Sequence, residues 1–134
     1  MSLIVDASIA VKWVVEEPGS GAAKAVLSSG ERLIAPDLVL AEIGNAVRKK
    51  LSRGIIPREQ AVLAARTAER AFDELVPIRL LAASASELAL DLDHPVYDCF
   101  YVVLAARERM PLITADDRLR AAAERANVEA RPLL

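Results

Sequence analysis

Two short apolar runs in this chain end on acids. Leu3-Ile4-Val5 runs straight into Asp6, and Leu112-Ile113-Thr114 leads through Ala115 to the doublet Asp116-Asp117. Two more acids, Glu42 and Asp98, fall in the first turns of predicted helices. In a parallel sheet, strand carboxyl ends and the N-termini of the following helices meet at one edge. Asp6, Glu42, Asp98 and Asp116 are therefore expected to converge. Carboxylates about 4 Å apart at an effective dielectric near 20 repel by roughly 4 kcal/mol per pair. Such a cluster needs protons or a cation. Oxygen donors and water select hard cations, Mg²⁺ or Mn²⁺. Those ions activate water and stabilise the leaving oxygen in phosphodiester hydrolysis.

Each acid also has a plainer reading. Asp6 suits a strand-end turn. Asp116 suits the N-cap of the last helix. Glu42 suits a helix surface, where most glutamates lie. Asp98 resists this treatment, because its i+3 and i+4 neighbours, Tyr101 and Val102, bring no cation to its helix face. A helix N-terminus accommodates the charge, and a metal does so better.

The elements that must position these acids follow from pattern and turn chemistry. Leu3–Val5 reads as a buried strand at the sheet centre. A helix is expected over Ala7–Val15, a loop over Glu16–Gly21, and a helix over Ala22–Leu27. Arg32–Ala35 is a second strand. Asp37 is expected to N-cap a helix over Leu38–Leu51 that Gly54 ends. Pro57 opens the next helix, whose apolar stripe is Ala61, Ala65, Ala68 and Phe72. Leu75–Ile78 is a short strand placed at an edge by Pro77. Ser84 to Glu87 reads as a capping box for a helix to Asp91. Tyr97–Arg109 is a helix, apolar nearly all round and so buried. Leu112–Thr114 is a strand, Arg118–Ala126 a helix, and Val128–Pro132 a last edge strand. The alternation predicts an α/β fold with a parallel sheet.

With 134 residues, the chain is expected to form a single domain, 1–134. Its 54% hydrophobic content is ample for a core, and its 27% charged content argues against disorder. The longest uncharged apolar run, Cys99–Ala106, is too short for the roughly 20 residues of a membrane span. The N-terminus shows no signal-peptide pattern. One cysteine excludes an internal disulfide, and one histidine excludes an H-E-x-x-H zinc site. The expected location is the cytoplasm. A net charge of −2 weighs against a nucleic-acid partner, yet setting four acids against a metal leaves +2 on the remainder.

The residues around the acids resemble the PIN-domain ribonucleases, and within them the VapC-like toxins of toxin–antitoxin pairs. The resembling motifs are Val5-Asp6-Ala7-Ser8, Pro36 through Glu42 to Asn45-Ala46, Tyr97-Asp98-Cys99-Phe100-Tyr101 with Leu104-Ala105, and Thr114-Ala115-Asp116. Each motif alone is weak; all four in order are specific, and they span nearly the whole chain. The resemblance implies a three-layer α/β/α sandwich, Mg²⁺ or Mn²⁺ binding, cleavage of RNA, a homodimer and a cognate antitoxin. It implies that Asp6 and Asp98 ligate metal, that Asp116 does so directly or through water, and that Glu42 orients water or a second ion at the rim. Ser8 and Thr114 would hydrogen-bond the ligands. Asn45 lies on the face of Glu42 and would support it. Asp117 competes with Asp116 for the fourth position.

Other residues have plainer expectations. His94, before Pro95, is read as a loop residue outside the chemistry, and Cys99 as a small buried hydrophobe. Trp13, Tyr97 and Tyr101 offer stacking surfaces, with core packing the expected role. Arg48, Lys49, Lys50, Arg53 and Arg58 form a basic cluster suited to an RNA backbone, or equally to the helix dipole and solubility. The rival readings are a receiver-like signalling domain, disfavoured because no lysine follows Lys50, and a non-catalytic PIN-like RNA-binding module. A haloacid-type phosphatase would need an acid where Ser8 stands.

Overall fold

The computed structural model describes residues 1–133. Five strands form one sheet: β1 Ser2–Val5, β2 Arg32–Pro36, β3 Glu74–Val76, β4 Leu112–Ile113 and β5 Ala130–Arg131. The spatial order is β3-β2-β1-β4-β5, and every pairing is parallel. β1 is central because both of its faces are covered. Ile4 and Val5 are wholly buried, with Ile4 beside Ile34 on one side and Leu112 on the other. Removing such a side chain costs about 2–5 kcal/mol.

Seven α-helices flank the sheet and complete a three-layer α/β/α sandwich. They are α1 Ala7–Val14, α2 Ser20–Leu27, α3 Leu38–Ser52, α4 Arg58–Thr67, α5 Ala82–Leu92, α6 Val96–Glu108 and α7 Asp117–Arg125. α1 packs on α2 and α3, and α3 on α4; α6 packs on α5, α7, β1, β2 and β4. α6 is buried as its apolar circumference predicts, with Cys99 and Leu104 fully enclosed. Among the described residues, no helix is long and apolar enough to cross a membrane.

Several boundaries differ from the sequence expectations. α2 begins at Ser20 rather than Ala22, because Gly19 takes a left-handed turn (φ 92°) and the buried Ser20 hydroxyl accepts from Glu17 N and donates to Val15 O. Asp37 occupies the N-cap position of α3 but caps nothing; its Oδ1 accepts from Ile78 N at 3.1 Å. The Ser84–Glu87 capping box does not form, since α5 starts at Ala82 and both residues lie inside it. α4 stops at Thr67 and buries Ala61 and Ala64, leaving Ala65 of the expected stripe exposed, before a 3₁₀ turn over Ala68–Ala71 leads to the buried Phe72. β3 ends at Val76, leaving Pro77 to enter a second 3₁₀ turn, Ile78–Leu80, and β5 is shorter than expected.

Candidate active site

The site forms where β1 and β4 end. Asp6 is the first residue after β1 and N-caps α1, its Oδ1 accepting from Ile9 N at 3.3 Å. Its carboxylate is only 4% exposed. The Ser8 hydroxyl donates to Oδ1 and the Thr114 hydroxyl to Oδ2, each at 2.7 Å. These two hydroxyls are themselves held by the backbone after β4. Ala115 N donates to Ser8 Oγ at 2.9 Å, and Asp116 N donates to Thr114 Oγ1 at 2.9 Å. One network thus locks the two central strand ends together around a single acid.

The other three acids sit on neighbouring elements, with Asp116 near enough to act on both Asp6 and Glu42, and Asp98 on Glu42. Asp116 N-caps α7 through its Oδ1, which accepts from Arg118 N at 2.9 Å and Leu119 N at 3.4 Å. Glu42 lies in the second turn of α3, one turn later than expected, and accepts a 2.5 Å hydrogen bond from Tyr101 on α6. Asp98 lies in the first turn of α6, and its Oδ2 meets His94 Nε2 at 2.7 Å. The pair is spaced i, i+4, so the informative neighbour of Asp98 was the one before it. His94, set aside by the sequence, therefore touches the site.

Burial dominates the electrostatics of Asp6 and Glu42, and neighbouring acids add to it. Burial pushes the Asp6 carboxyl up to about 7, and Asp116 adds to that against the lowering bonds from Ser8, Thr114 and Ile9 N. Burial also raises Glu42; the Tyr101 bond opposes this, while Asp98 and Asp116 reinforce it. Asp6, Glu42 and Asp116 have no ion-pair partner among the described residues.

A cleft of about 740 Å³ opens beside these acids, with Glu42 and Asp116 in its lining and Asp6 and Asp98 outside it. Glu42, Asn45, Asp116, Ser8 and Tyr97 line it, together with Lys12, Lys49, Lys50 and Glu17. Asn45 faces the cleft but is engaged by Arg48, which donates to its Oδ1 through two nitrogens. Asp117 is a correction. Its side chain is 85% exposed and pairs with Arg120, away from the cleft. Tyr97 is another, being 60% exposed instead of packed in the core, whereas Tyr101 is buried as expected and Trp13 packs on Phe72. Only Lys49 and Lys50 of the basic cluster reach the cleft. Lys50 and Lys12 hold Glu17 between them at 2.7 and 3.0 Å, which outweighs the effect of burial and keeps the Glu17 carboxyl below its usual range.

The donor set suits a hard divalent cation in chemistry and in charge. As placed, no three His, Cys, Asp or Glu side chains among the described residues are grouped closely enough to hold one ion together. Mg²⁺ does not need such a cage, because it keeps several waters and is bound through one or two carboxylates.

Known proteins place this arrangement. The family model for the PIN domain matches residues 3–125. Ribonuclease VapC3 of Pyrobaculum aerophilum is 34% identical over 122 residues, covering 89% of this chain and 92% of that protein. Ribonuclease VapC1 of Mycobacterium tuberculosis is 38% identical over 92 residues, covering 66% of this chain and 65% of that protein. The crystal structure of PAE2754 from Pyrobaculum aerophilum superposes with a TM-score of 0.73 at 22% identity, over 99% of this chain and 90% of that one. The crystal structure of FitAcB from Neisseria gonorrhoeae gives 0.66 at 16% identity, over 96% and 95%. The family model spans most of the chain, and the chain belongs to the PIN-domain family.

Proposed function

We propose that this protein is a Mg²⁺- or Mn²⁺-dependent endoribonuclease of the VapC toxin type, folded as one domain over 1–134. It acts in the cytoplasm as a homodimer and is neutralised by a cognate antitoxin. The observation that carries the chemistry is Asp6: a buried carboxylate without a counter-cation, fixed by two hydroxyls beside a cleft that Glu42 and Asp116 line. The ribonuclease names of the relatives support the reaction class. The toxin and antitoxin roles rest on the motif resemblance.

In this reading one or two of Asp6, Asp98 and Asp116 would hold the metal directly and the rest through its waters. When bound, the metal polarises a phosphate oxygen and lowers the pKa of water. Ser8 and Thr114 fix both oxygens of Asp6, so its carboxylate does not rotate during turnover. Glu42 Oε1 is occupied by Tyr101, which leaves Oε2 to take a proton from the attacking water. Asn45 orients substrate or water at the wall. A non-catalytic RNA-binding module is the second reading, favoured by the absence of a three-ligand group among the described residues.

The experiment is incubation of the purified protein with cellular RNA, followed by sequencing of the new ends. Discrete cleavage with Mg²⁺ or Mn²⁺, stopped by chelator and absent in a folded Asp98→Asn variant, is expected. Cleavage that survives excess chelator, or full activity in Asp98→Asn, overturns the mechanism. Specific RNA binding without any cleavage establishes the module instead.

A further inference from the structure

Tyr97 is the one aromatic among the large apolar side chains that the described residues leave exposed. The other aromatics are accounted for: Trp13 donates its indole N–H to Ala23 O and packs on Phe72, while Phe100 and Tyr101 are buried. Tyr97 stands in the first turn of α6, directly before Asp98, and its phenol has no hydrogen-bond partner among the described residues. Its ring lines the same cleft as Glu42 and Asp116. The cleft wall also carries Lys12, Lys49 and Lys50. Glu17 neutralises part of that charge and Glu42 and Asp116 balance the lining as a whole, but Lys49 has no ion-pair partner among the described residues and leaves an unpaired ammonium on the rim.

An exposed ring beside the acids and ammonium groups in the same cleft is the arrangement that single-stranded nucleic acid uses. Bases stack on the aromatic face, and phosphates meet the positive charge. Duplex bases are already stacked on each other and offer no free face. We infer that Tyr97 is a base-stacking platform that sets one unpaired RNA base next to the acid cluster, with Lys49 and Lys50 holding the adjoining phosphates. The inference rests on the ribonuclease reading and names the side chain that holds the base. Tyr97 is then a positioning residue whose contact fixes where the strand is cut.

The test uses a short fluorescein-labelled single-stranded RNA spanning the parent's mapped cleavage site, and copies made abasic at one nucleotide at a time. Binding is measured in the cleavage-inactive Asp98→Asn protein. Adding Tyr97→Ala weakens binding roughly five- to hundred-fold, the range of one base–aromatic stack, while Tyr97→Phe retains it. One abasic position reproduces the loss in the Tyr97 protein and adds nothing in the Tyr97→Ala protein. Lys49→Gln lowers the slope of log affinity against log salt by about 0.7, the value for one phosphate of a single strand. Base-paired RNA of the same sequence binds less tightly and shows no Tyr97 dependence. Unchanged affinity in Tyr97→Ala overturns the inference while cleavage by the parent still stands. A Tyr97→Ala protein with changed sedimentation and unchanged RNA affinity assigns the ring to a protein interface, and equally overturns it. A parent that cleaves no RNA removes the nuclease reading itself, a separate result.

Discussion

Asp6 turns the burial of one carboxylate into a measurable pH dependence. Its carboxyl titrates near 3.8 when free and near 7 in the metal-free fold. A raised folded-state pKa means that the native state holds the proton more tightly than the unfolded chain. The stability it contributes is complete below the unfolded value and disappears as pH climbs to about 7. Metal-free protein should therefore melt at progressively lower temperature between pH 4 and 7, and Asp6→Asn should flatten that slope; a slope unaltered in Asp6→Asn refutes the assignment. The same proton competes with the cation, so metal affinity should rise over this window. Tyr101 gives a second prediction at this scale. Its bond lowers the Glu42 carboxyl, which burial otherwise raises. Tyr101→Phe should move the acid limb of the pH–rate profile upward and cost about 1–2 kcal/mol in denaturant unfolding. An unmoved acid limb would remove Glu42 as the base. Asp6, Ser8 and Thr114 were legible in the sequence because an apolar run ends beside each of them. The Tyr101–Glu42 contact joins residues 59 apart on two helices, and nothing local announces it. His94 lies four residues before Asp98, a spacing that the sequence does show, and it was missed by looking only forward along the helix.

At the scale of elements, strand ends and helix starts do the positioning. β1 and β4 were readable because both are continuous apolar runs buried on both sides, and their parallel pairing brings Asp6 to Thr114. Helix starts were read less well. Capping chemistry is local, while Asp37 and Ser84 answer to tertiary partners or to none. Asp37 sits where a capping residue belongs, yet its carboxylate ties the β2–α3 corner to Ile78 after β3. Asp37→Ala should consequently cost about 1–3 kcal/mol by leaving Ile78 N unpaired. The loss should appear as faster amide exchange at Ile78 and not as fraying of α3; fraying confined to the first turn of α3 would restore the capping role. Glu42 belongs to the second turn by counting alone, since α3 begins at Leu38 as expected and four helical residues precede it. That placement sets Glu42 within reach of Tyr101 on α6, so the two helices share one hydrogen bond at the wall of the site.

Across the whole molecule, a net charge of −2 conceals a divided surface, with unpaired acids at the sheet edge and lysines along the cleft rim. The acids were expected to converge at one sheet edge; burial is the main reason that the Asp6 and Glu42 carboxyls are raised, with repulsion from Asp116 adding to both and from Asp98 to Glu42. The unfolded chain relieves that repulsion, so the metal-free native state bears it alone. A cation that binds only the folded form stabilises it by about 2.7 kcal/mol at one hundred times its dissociation constant. For a chain of 134 residues that corresponds to a rise in melting temperature of roughly 8 to 14 °C. Asp98→Asn removes one negative charge near Glu42 and should melt no lower than the metal-free parent, provided that His94 donates to the new amide oxygen. The same variant should gain far less from Mg²⁺ or Mn²⁺. Thermal melts of parent and variant, with chelator and with each metal, at pH 5 and pH 7.5, separate the possibilities without any RNA. At the lower pH, Asp6 is protonated in the metal-free fold, so the parent should start higher and gain less from metal. If metals shift parent and Asp98→Asn equally at both pH values, the four acids do not form one cation site, and the hydrolytic reading loses its physical basis.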